Sequence, residues 1–165
     1  MKVIGIDPGI ATTGYGLVST RQDGSLAQIE FGVIQTTPED TTSERLLHLY
    51  QRLKEIVLLH QPQSGAVEKL FFQRNVRTAF SVGQARGVAM LVLAELGLSV
   101  YEYTPLEIKQ AVVGYGAADK KQVQQMVKVL LNLQEIPQPD DAADALAVAI
   151  CHIHSIRMKA LSDQF

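Results

Sequence analysis

Short apolar runs separated by turn residues predict three β-strands at the start of the chain. The first, over residues 3–6, has almost no polar interruption, which is typical of a strand buried on both faces. Residues 14–20 and 26–35 predict two further strands. The pair Asp23-Gly24 between them favours a tight hairpin, so we expect these two strands to be antiparallel.

Helical and strand patterns alternate in the rest of the chain. A helix is predicted from an N-cap at Ser43 to about His60, and Pro62 ends it. A short strand over residues 64–68 follows, and the crossover should place it parallel to an existing strand, most simply the first. The remaining predicted elements are helices over residues 78–96 and 140–159, a strand over residues 98–103, and short helices starting at Pro105 and Asp119.

Together these elements predict an α/β fold in a single domain, residues 1–165. Its mixed five-stranded sheet has three antiparallel and then two parallel strands, flanked by helices. A composition of 47% hydrophobic and 19% charged residues indicates a globular protein. Helix 78–96 is apolar or small nearly all round, so a second protomer is a natural cover for it.

Composition also indicates the environment of the protein. No apolar run reaches the roughly 18–20 residues of a membrane span, and no signal-peptide pattern precedes the first strand. Cys151 is the only cysteine, so we expect an inert core thiol, no internal disulfide and a cytoplasmic location. We interpret His152 and His154, two apart on a helix, as surface or interface residues.

The charges are unevenly distributed along the chain. The net charge of −2 and the isoelectric point of about 6.1 argue against a nucleic-acid partner. Residues 69–128, however, hold eight Lys or Arg against four acidic residues. A basic face beside an acidic centre suits a metal-dependent nuclease, although a solvated helical surface produces the same asymmetry.

Two carboxylates end neighbouring strands of the predicted sheet. The chain should turn after Asp7, because Pro8 cannot continue a ladder and Gly9 permits a positive φ. Asp7 is therefore either a residue that opens this turn or a ligand. Glu68 ends the strand predicted to lie parallel to the first. Both acids should therefore lie at the sheet edge where α/β proteins bind ligands.

Two more carboxylates, Asp141 and Asp144, share one face at the start of the last helix. Acids there also complement the helix dipole, and we interpret Asp140 as the N-cap. If all four acids converge, their repulsion requires a cation, and hard ions such as Mg²⁺ prefer oxygen ligands. Two such ions about 3.5–4 Å apart promote hydrolysis at phosphorus, which makes phosphodiester hydrolysis the leading chemistry.

A basic loop over residues 69–77 carries two adjacent phenylalanines. One exposed ring beside Arg74 and Arg77 would stack on an unpaired base while the cations hold phosphates. Alternatively, both rings fold under the loop. Three further lysines, which are ordinary surface residues unless a phosphate lies near them, are Lys109, Lys120 and Lys121.

Six segments stand out when they are taken together and in order: residues 4–9 (IGIDPG), Glu68 with Phe71 and Asn75, residues 83–89 (GQARGVA), residues 109–116 (KQAVVGYG), Lys120 with residues 122–124, and residues 141–147 (DAADALA). In this order and spacing they resemble the RuvC-type Holliday junction resolvases over nearly the whole chain. The resemblance implies an RNase H-like fold and a homodimer that cuts two opposed strands of a four-way DNA junction, in homologous recombination and DNA repair.

The resemblance also implies roles for individual residues. Asp7, Glu68, Asp141 and Asp144 would bind two Mg²⁺ ions, for which Mn²⁺ can substitute. Phe71 would stack at the junction, and the branch-migration complex RuvA–RuvB would be a partner, with no membrane involved. With the basic loop included, the expected DNA contacts are Phe71, Arg74, Asn75, Arg77, Lys109, Lys120 and Lys121.

Other functions fit parts of the sequence. A strand ending in Asp-Pro-Gly is similar to the phosphate loops of actin-like ATPases and sugar kinases, but those proteins need two such lobes and this chain holds one. An RNase H-like nuclease acting on another nucleic acid is an alternative. So is a junction-binding protein that does not cut, although it would not require all four acids.

Overall fold

The computed structural model describes residues 1–69 and 76–162, apart from the side chains of residues 76–78. The strands are β1 (Lys2–Asp7), β2 (Thr12–Thr20), β3 (Leu26–Gln35), β4 (Ser64–Glu68) and β5 (Ser99–Tyr103). The helices are α1 (Thr42–His60), α2 (Val76–Glu95), α3 (Pro105–Val113), α4 (Lys120–Leu130) and α5 (Asp140–Ser162). Every predicted element is present, with boundaries within a few residues.

The strands form one mixed sheet in the order β3-β2-β1-β4-β5. β1 pairs antiparallel with β2 and parallel with β4, and β4 pairs parallel with β5. The predicted arrangement of three antiparallel and two parallel strands is therefore confirmed. Because Ile6 of β1 pairs with Val67 of β4, the next residues, Asp7 and Glu68, lie side by side at one edge of the sheet.

Helices cover both faces of the sheet. α3, α4 and α5 pack on the face that includes Val3 of β1 and Ala66 of β4. α1 and α2 pack on the opposite face, which includes Ile4 of β1. Since side chains alternate along a strand, Asp7 and Glu68 lie on the α5 face.

Glycines in β1 and β2 allow α5 to lie very close to the sheet. Gly5 pairs with Gly16 across the two strands, and a Cβ atom on Gly5 would stand 2.2 Å from the carbonyl oxygen of Ala145. A Cβ atom on Gly14 would stand 1.9 Å from the carbonyl oxygen of Asp141. No larger residue fits at these positions without moving α5, so the glycines determine where its first turns lie.

The cap of α1 differs from the prediction. Thr41, not Ser43, is the N-cap: its hydroxyl accepts the Glu44 N–H, and the Glu44 carboxylate accepts the Thr41 N–H. This reciprocal capping box satisfies two backbone donors at once, so the helix begins earlier than predicted. Thr104 and Asp119 cap α3 and α4 in the same way.

The interpretation of His152 as a surface or interface residue is wrong. α5 crosses the middle of the sheet and is buried on most sides, so His152 is fully buried. Its Nε2 lies 2.9 Å from the hydroxyl of Ser64, and its Nδ1 lies 2.8 Å from the hydroxyl of Tyr103. His154 is half-buried against a carbonyl oxygen of α3. Cys151 is a buried free thiol, as predicted.

The outer side of α2 carries large exposed apolar side chains. Ala85 and Ala89 face the core, whereas Phe80 is 71% exposed and Leu91 is 59% exposed. The cover by a second protomer stays a prediction. Across the described part of the chain, no helix is long and apolar enough to cross a membrane.

Candidate active site

The turn after β1 holds Asp7 at the edge of the sheet. Thr13 is 1% exposed and donates its hydroxyl to the carbonyl oxygen of Gly9 at 2.6 Å. A Cβ atom on Gly9 would stand 2.4 Å from the carbonyl oxygen of Thr12. The φ angle of Gly9 is not positive, so the glycine is required for this close approach and not for the left-handed backbone expected from sequence.

The structure places the four predicted carboxylates near the same end of β1. The Asp7 carboxyl group donates a hydrogen bond to Glu68. The charges of Glu68, Asp144 and Asp141 all act on Asp7. β1 and β4 supply the first two acids, and the glycine contacts with α5 bring the second two over the end of β1.

Burial and repulsion change the protonation of this cluster. Burial, together with the charges of Glu68 and Asp144, raises the pKa of Asp7 to about 8. Burial also raises the pKa of Glu68 and that of Asp144, although the Asp7 hydrogen bond and the nearby Lys120 partly oppose these shifts. Without a cation, Asp7 therefore keeps its proton at neutral pH.

Lys120 at the start of α4 binds two acids of α5. Its Nζ lies 3.0 Å from Oδ2 of Asp144 and 3.1 Å from Oδ2 of Asp140. Asp140 is the first residue of the helix and not its N-cap, so that prediction is wrong. Its carboxylate accepts from Gln124 of α4 at 2.9 Å, and this pairing between helices directs it away from the amides of its own helix.

A cavity of about 200 Å³ opens beside the carboxylates. Two cations, Lys109 and Lys120, lie in its wall, and their charges act on Glu68. Its lining consists of Glu68, Pro105, Ile108, Lys109, Lys120, Val123, Asp144 and Ala147. The cavity therefore presents positive charge next to the acidic cluster, where a phosphate group can meet both.

Lys121, another predicted DNA contact, does not line this cavity. Lys121 lines a separate groove on the outer side of α4, with Asp119 and Gln125. Phe71, Arg74 and Asn75 lie outside the described residues. Arg77 lies in the first turn of α2, and its side chain is also outside them.

The donor set suits a hard divalent cation. All four candidate ligands are carboxylates, and a cation would relieve the repulsion that, together with burial as the larger cause, raises the pKa of Asp7. Within residues 1–69 and 76–162, however, no three His, Cys, Asp or Glu side chains are arranged to hold an ion.

Comparison with known proteins assigns the chain to a family. The family model for the crossover junction endodeoxyribonuclease RuvC matches residues 3–152. The chain belongs to the RuvC family. The crossover junction endodeoxyribonuclease RuvC of Caldicellulosiruptor saccharolyticus is 54% identical over 155 residues, which cover 94% of this chain and 93% of that protein.

Solved RuvC structures have the same fold. The structure of Thermus thermophilus RuvC superposes with a TM-score of 0.90 at 38% identity, covering 96% of this chain and 97% of that one. The T. thermophilus RuvC in complex with a Holliday junction substrate superposes with a TM-score of 0.91 at 38% identity, covering 96% of both chains. The predicted RNase H-like fold of this RuvC-family chain is therefore confirmed.

Several residues that shape the candidate site were not predicted from the sequence. Gly14 and Gly16 alternate along β2 opposite β1, and that spacing was a signal for a close helix. Thr13 and Tyr103 gave no comparable signal, because their roles depend on contacts that only the folded chain makes.

Proposed function

We propose that this chain is a structure-specific endonuclease that resolves four-way (Holliday) DNA junctions by symmetric paired nicks, in homologous recombination and DNA repair. The observation that carries the proposal is the cluster of Asp7, Glu68, Asp141 and Asp144 at one sheet edge in a RuvC-family chain. The name of the curated relatives, and the complex of T. thermophilus RuvC with a Holliday junction substrate, support this substrate.

Two Mg²⁺ ions, or Mn²⁺ in their place, are the proposed cofactors, and the four carboxylates are their proposed ligands. When bound, such a pair of ions activates water and stabilises the leaving oxygen in a displacement at phosphorus. For these side chains to act as ligands, Asp7 must lose its proton and Asp144 must separate from Lys120. Metal binding would thus replace the proton on Asp7 and the ammonium group of Lys120 beside Asp144.

The cavity lysines act on the substrate in this proposal. Lys109 and Lys120 neutralise the scissile phosphate and orient it towards the carboxylates, because both line the same cavity as Glu68 and Asp144. The other proposed DNA contacts are stacking of Phe71 on an unpaired base and backbone contacts from Arg74, Asn75, Arg77 and Lys121.

Symmetric cutting requires two active sites, which a homodimer supplies. The exposed apolar side of α2, with Phe80 and Leu91, supports an interface there. The proposed partner is the RuvA–RuvB branch-migration complex. The proposed location is the cytoplasm.

One cleavage assay separates this function from its alternatives. The purified chain is incubated with a synthetic four-way junction, a linear duplex and an RNA–DNA hybrid, first with Mg²⁺ and then with EDTA. We expect paired nicks in the junction with Mg²⁺ and none with EDTA. Preferential cutting of the hybrid would indicate an RNase H-like nuclease with another substrate, and junction binding without nicks would indicate a non-cutting binding protein.

A further inference from the structure

A line of hydrogen bonds lies behind the carboxylate cluster and joins α5 to β4 and β5. The buried ring of His152 on α5 contacts the hydroxyl of Tyr103 on β5 at 2.8 Å and that of Ser64 on β4 at 2.9 Å. The rings of Tyr101 and Tyr103 pack against it, with centroids 4.4 Å and 5.7 Å away. His152 is therefore held on both sides in a fixed orientation.

Tyr103 connects these hydrogen bonds to the backbone of the candidate active site. It pairs in register with Glu68, and its carbonyl oxygen accepts the N–H of Lys69 at 2.8 Å. The next residue, Thr104, caps α3, and α3 carries Lys109 into the cavity. The end of β4, the start of α3 and the middle of α5 are thus all joined at Tyr103.

We propose that His152 and Tyr103 are positioning residues that hold Glu68 and Lys109 in place relative to Asp144. The consequence for cleavage rests on the proposed function, whereas the consequence for local stability does not. An apolar residue at position 152 would fill the core without fixing a direction, but the two ring nitrogens fix both the ring and the Tyr103 hydroxyl.

The surroundings of His152 keep its ring in one protonation state. Its neighbours are the hydroxyls of Ser64 and Tyr103 and the ring of Tyr101, and burial lowers the pKa of His152 to about 4. The ring is therefore neutral at physiological pH, with one nitrogen donating and the other accepting. Both contacts persist over the pH range in which a nuclease of this kind would act.

Amide hydrogen exchange tests the positioning role without any reference to activity. Tyr103→Phe removes one hydroxyl and leaves the ring in place. The matched control is Tyr15→Phe, since the Tyr15 hydroxyl donates to Glu30 at 2.9 Å from the opposite face of the sheet. We expect the Lys69 amide to exchange at least about fivefold faster in Tyr103→Phe, which is the effect of losing one ordinary hydrogen bond, and at the wild-type rate in Tyr15→Phe.

Junction cleavage by the same purified chain supplies the second measurement. We expect Tyr103→Phe to slow single-turnover cutting at least about fivefold with unchanged junction affinity, and Tyr15→Phe to cut at the wild-type rate. A wild-type exchange rate for Lys69 in Tyr103→Phe, or equal acceleration in both variants, would overturn the positioning role. Failure of the wild-type protein to cut junctions would instead overturn the proposed function, and the exchange measurement would still decide this inference.

Discussion

At the residue scale, the site is defined by a carboxyl group that keeps its proton at neutral pH. Asp7 is buried beside Glu68 and Asp144, and these surroundings raise its pKa to about 8. The proposed divalent cation would therefore compete with this proton for the same oxygens. This competition makes the protonation of Asp7 measurable both in catalysis and in stability.

Substitution of Asp7 by Asn should abolish cleavage while DNA binding persists. Asn keeps the shape of the side chain but removes a proposed metal ligand. Even outer-shell partners of metal ligands cost about 10–100-fold when changed, so we expect a loss of more than about 100-fold. Junction cleavage and fluorescence anisotropy measure the two effects, with Asp23→Asn in the exposed β2–β3 hairpin as the control. Cleavage that survives the change would contradict the ligand assignment.

The raised pKa of Asp7 also predicts how stability depends on pH. In the folded state the group holds its proton up to about pH 8, whereas its ordinary value is 3.8. The folded state therefore binds more protons between these values, and the free energy of unfolding should fall as pH rises from 5 to 8. The slope should reach at most about 1.4 kcal/mol per pH unit for this one proton.

Urea unfolding in EDTA at several pH values measures this slope. Asp7→Asn should flatten it, because the substituted side chain does not titrate. Added Mg²⁺ should raise the stability of the wild-type protein most at the upper end of the range, where the carboxylates are free to bind it. Equal slopes in the wild-type protein and Asp7→Asn would show that another group is responsible.

At the scale of elements, the site depends on how closely α5 approaches the sheet. Gly5, Gly14 and Gly16 leave no room for side chains beneath the helix. This contact places Asp141 and Asp144 over the end of β1 and the start of β2. The acids of α5 are therefore positioned by glycines, which have no side chain that could bind or react.

Gly5→Ala should displace α5 and separate the two pairs of acids. The new methyl group would stand 2.2 Å from the Ala145 carbonyl oxygen, and such overpacking typically costs about 1–3 kcal/mol. We expect lower stability in urea unfolding and a greater loss of cleavage than the loss of folded protein explains. Gly87→Ala on α2 is the control, because a Cβ there meets nothing within 4 Å and should be neutral or slightly stabilising. Full cleavage by folded Gly5→Ala would show that α5 tolerates the shift.

At the scale of the whole molecule, the two layers of helices differ in what they leave exposed. α5 is buried through most of its length, with the acidic cluster at its start. α2, on the opposite layer, exposes Phe80 and Leu91. One layer thus carries two acids of the candidate site, and the other presents an exposed apolar surface where the proposed second copy would bind.

Leu91→Glu should convert a dimer into a monomer. A charge in the centre of an apolar interface loses its hydration without a partner, which outweighs the contacts that remain. Sedimentation velocity of the wild-type protein and the variant measures the change, with Met158→Glu, at an exposed position near the end of α5, as the control. A monomeric wild-type protein, or a dimer unaffected by Leu91→Glu, would place any dimer interface elsewhere.

The sequence by itself determined the order of the elements, the mixed sheet and the four candidate acids. These follow from local patterns: apolar runs, turn residues, and carboxylates at strand and helix ends. Its errors came from competing contacts. Thr41 caps α1 because Glu44 reciprocates, and Asp140 pairs with α4 instead of capping α5.

Only the tertiary structure decided how the acids meet and what state they are in. The distance between α5 and β1 depends on glycines facing a helix that lies far away in sequence. The pKa of Asp7 depends on burial and on charges from β4 and α5, and His152 is buried because its helix crosses the centre of the sheet. Such properties arise from packing between distant segments, and among them only the close approach of α5 had a local signal, the alternating glycines of β2.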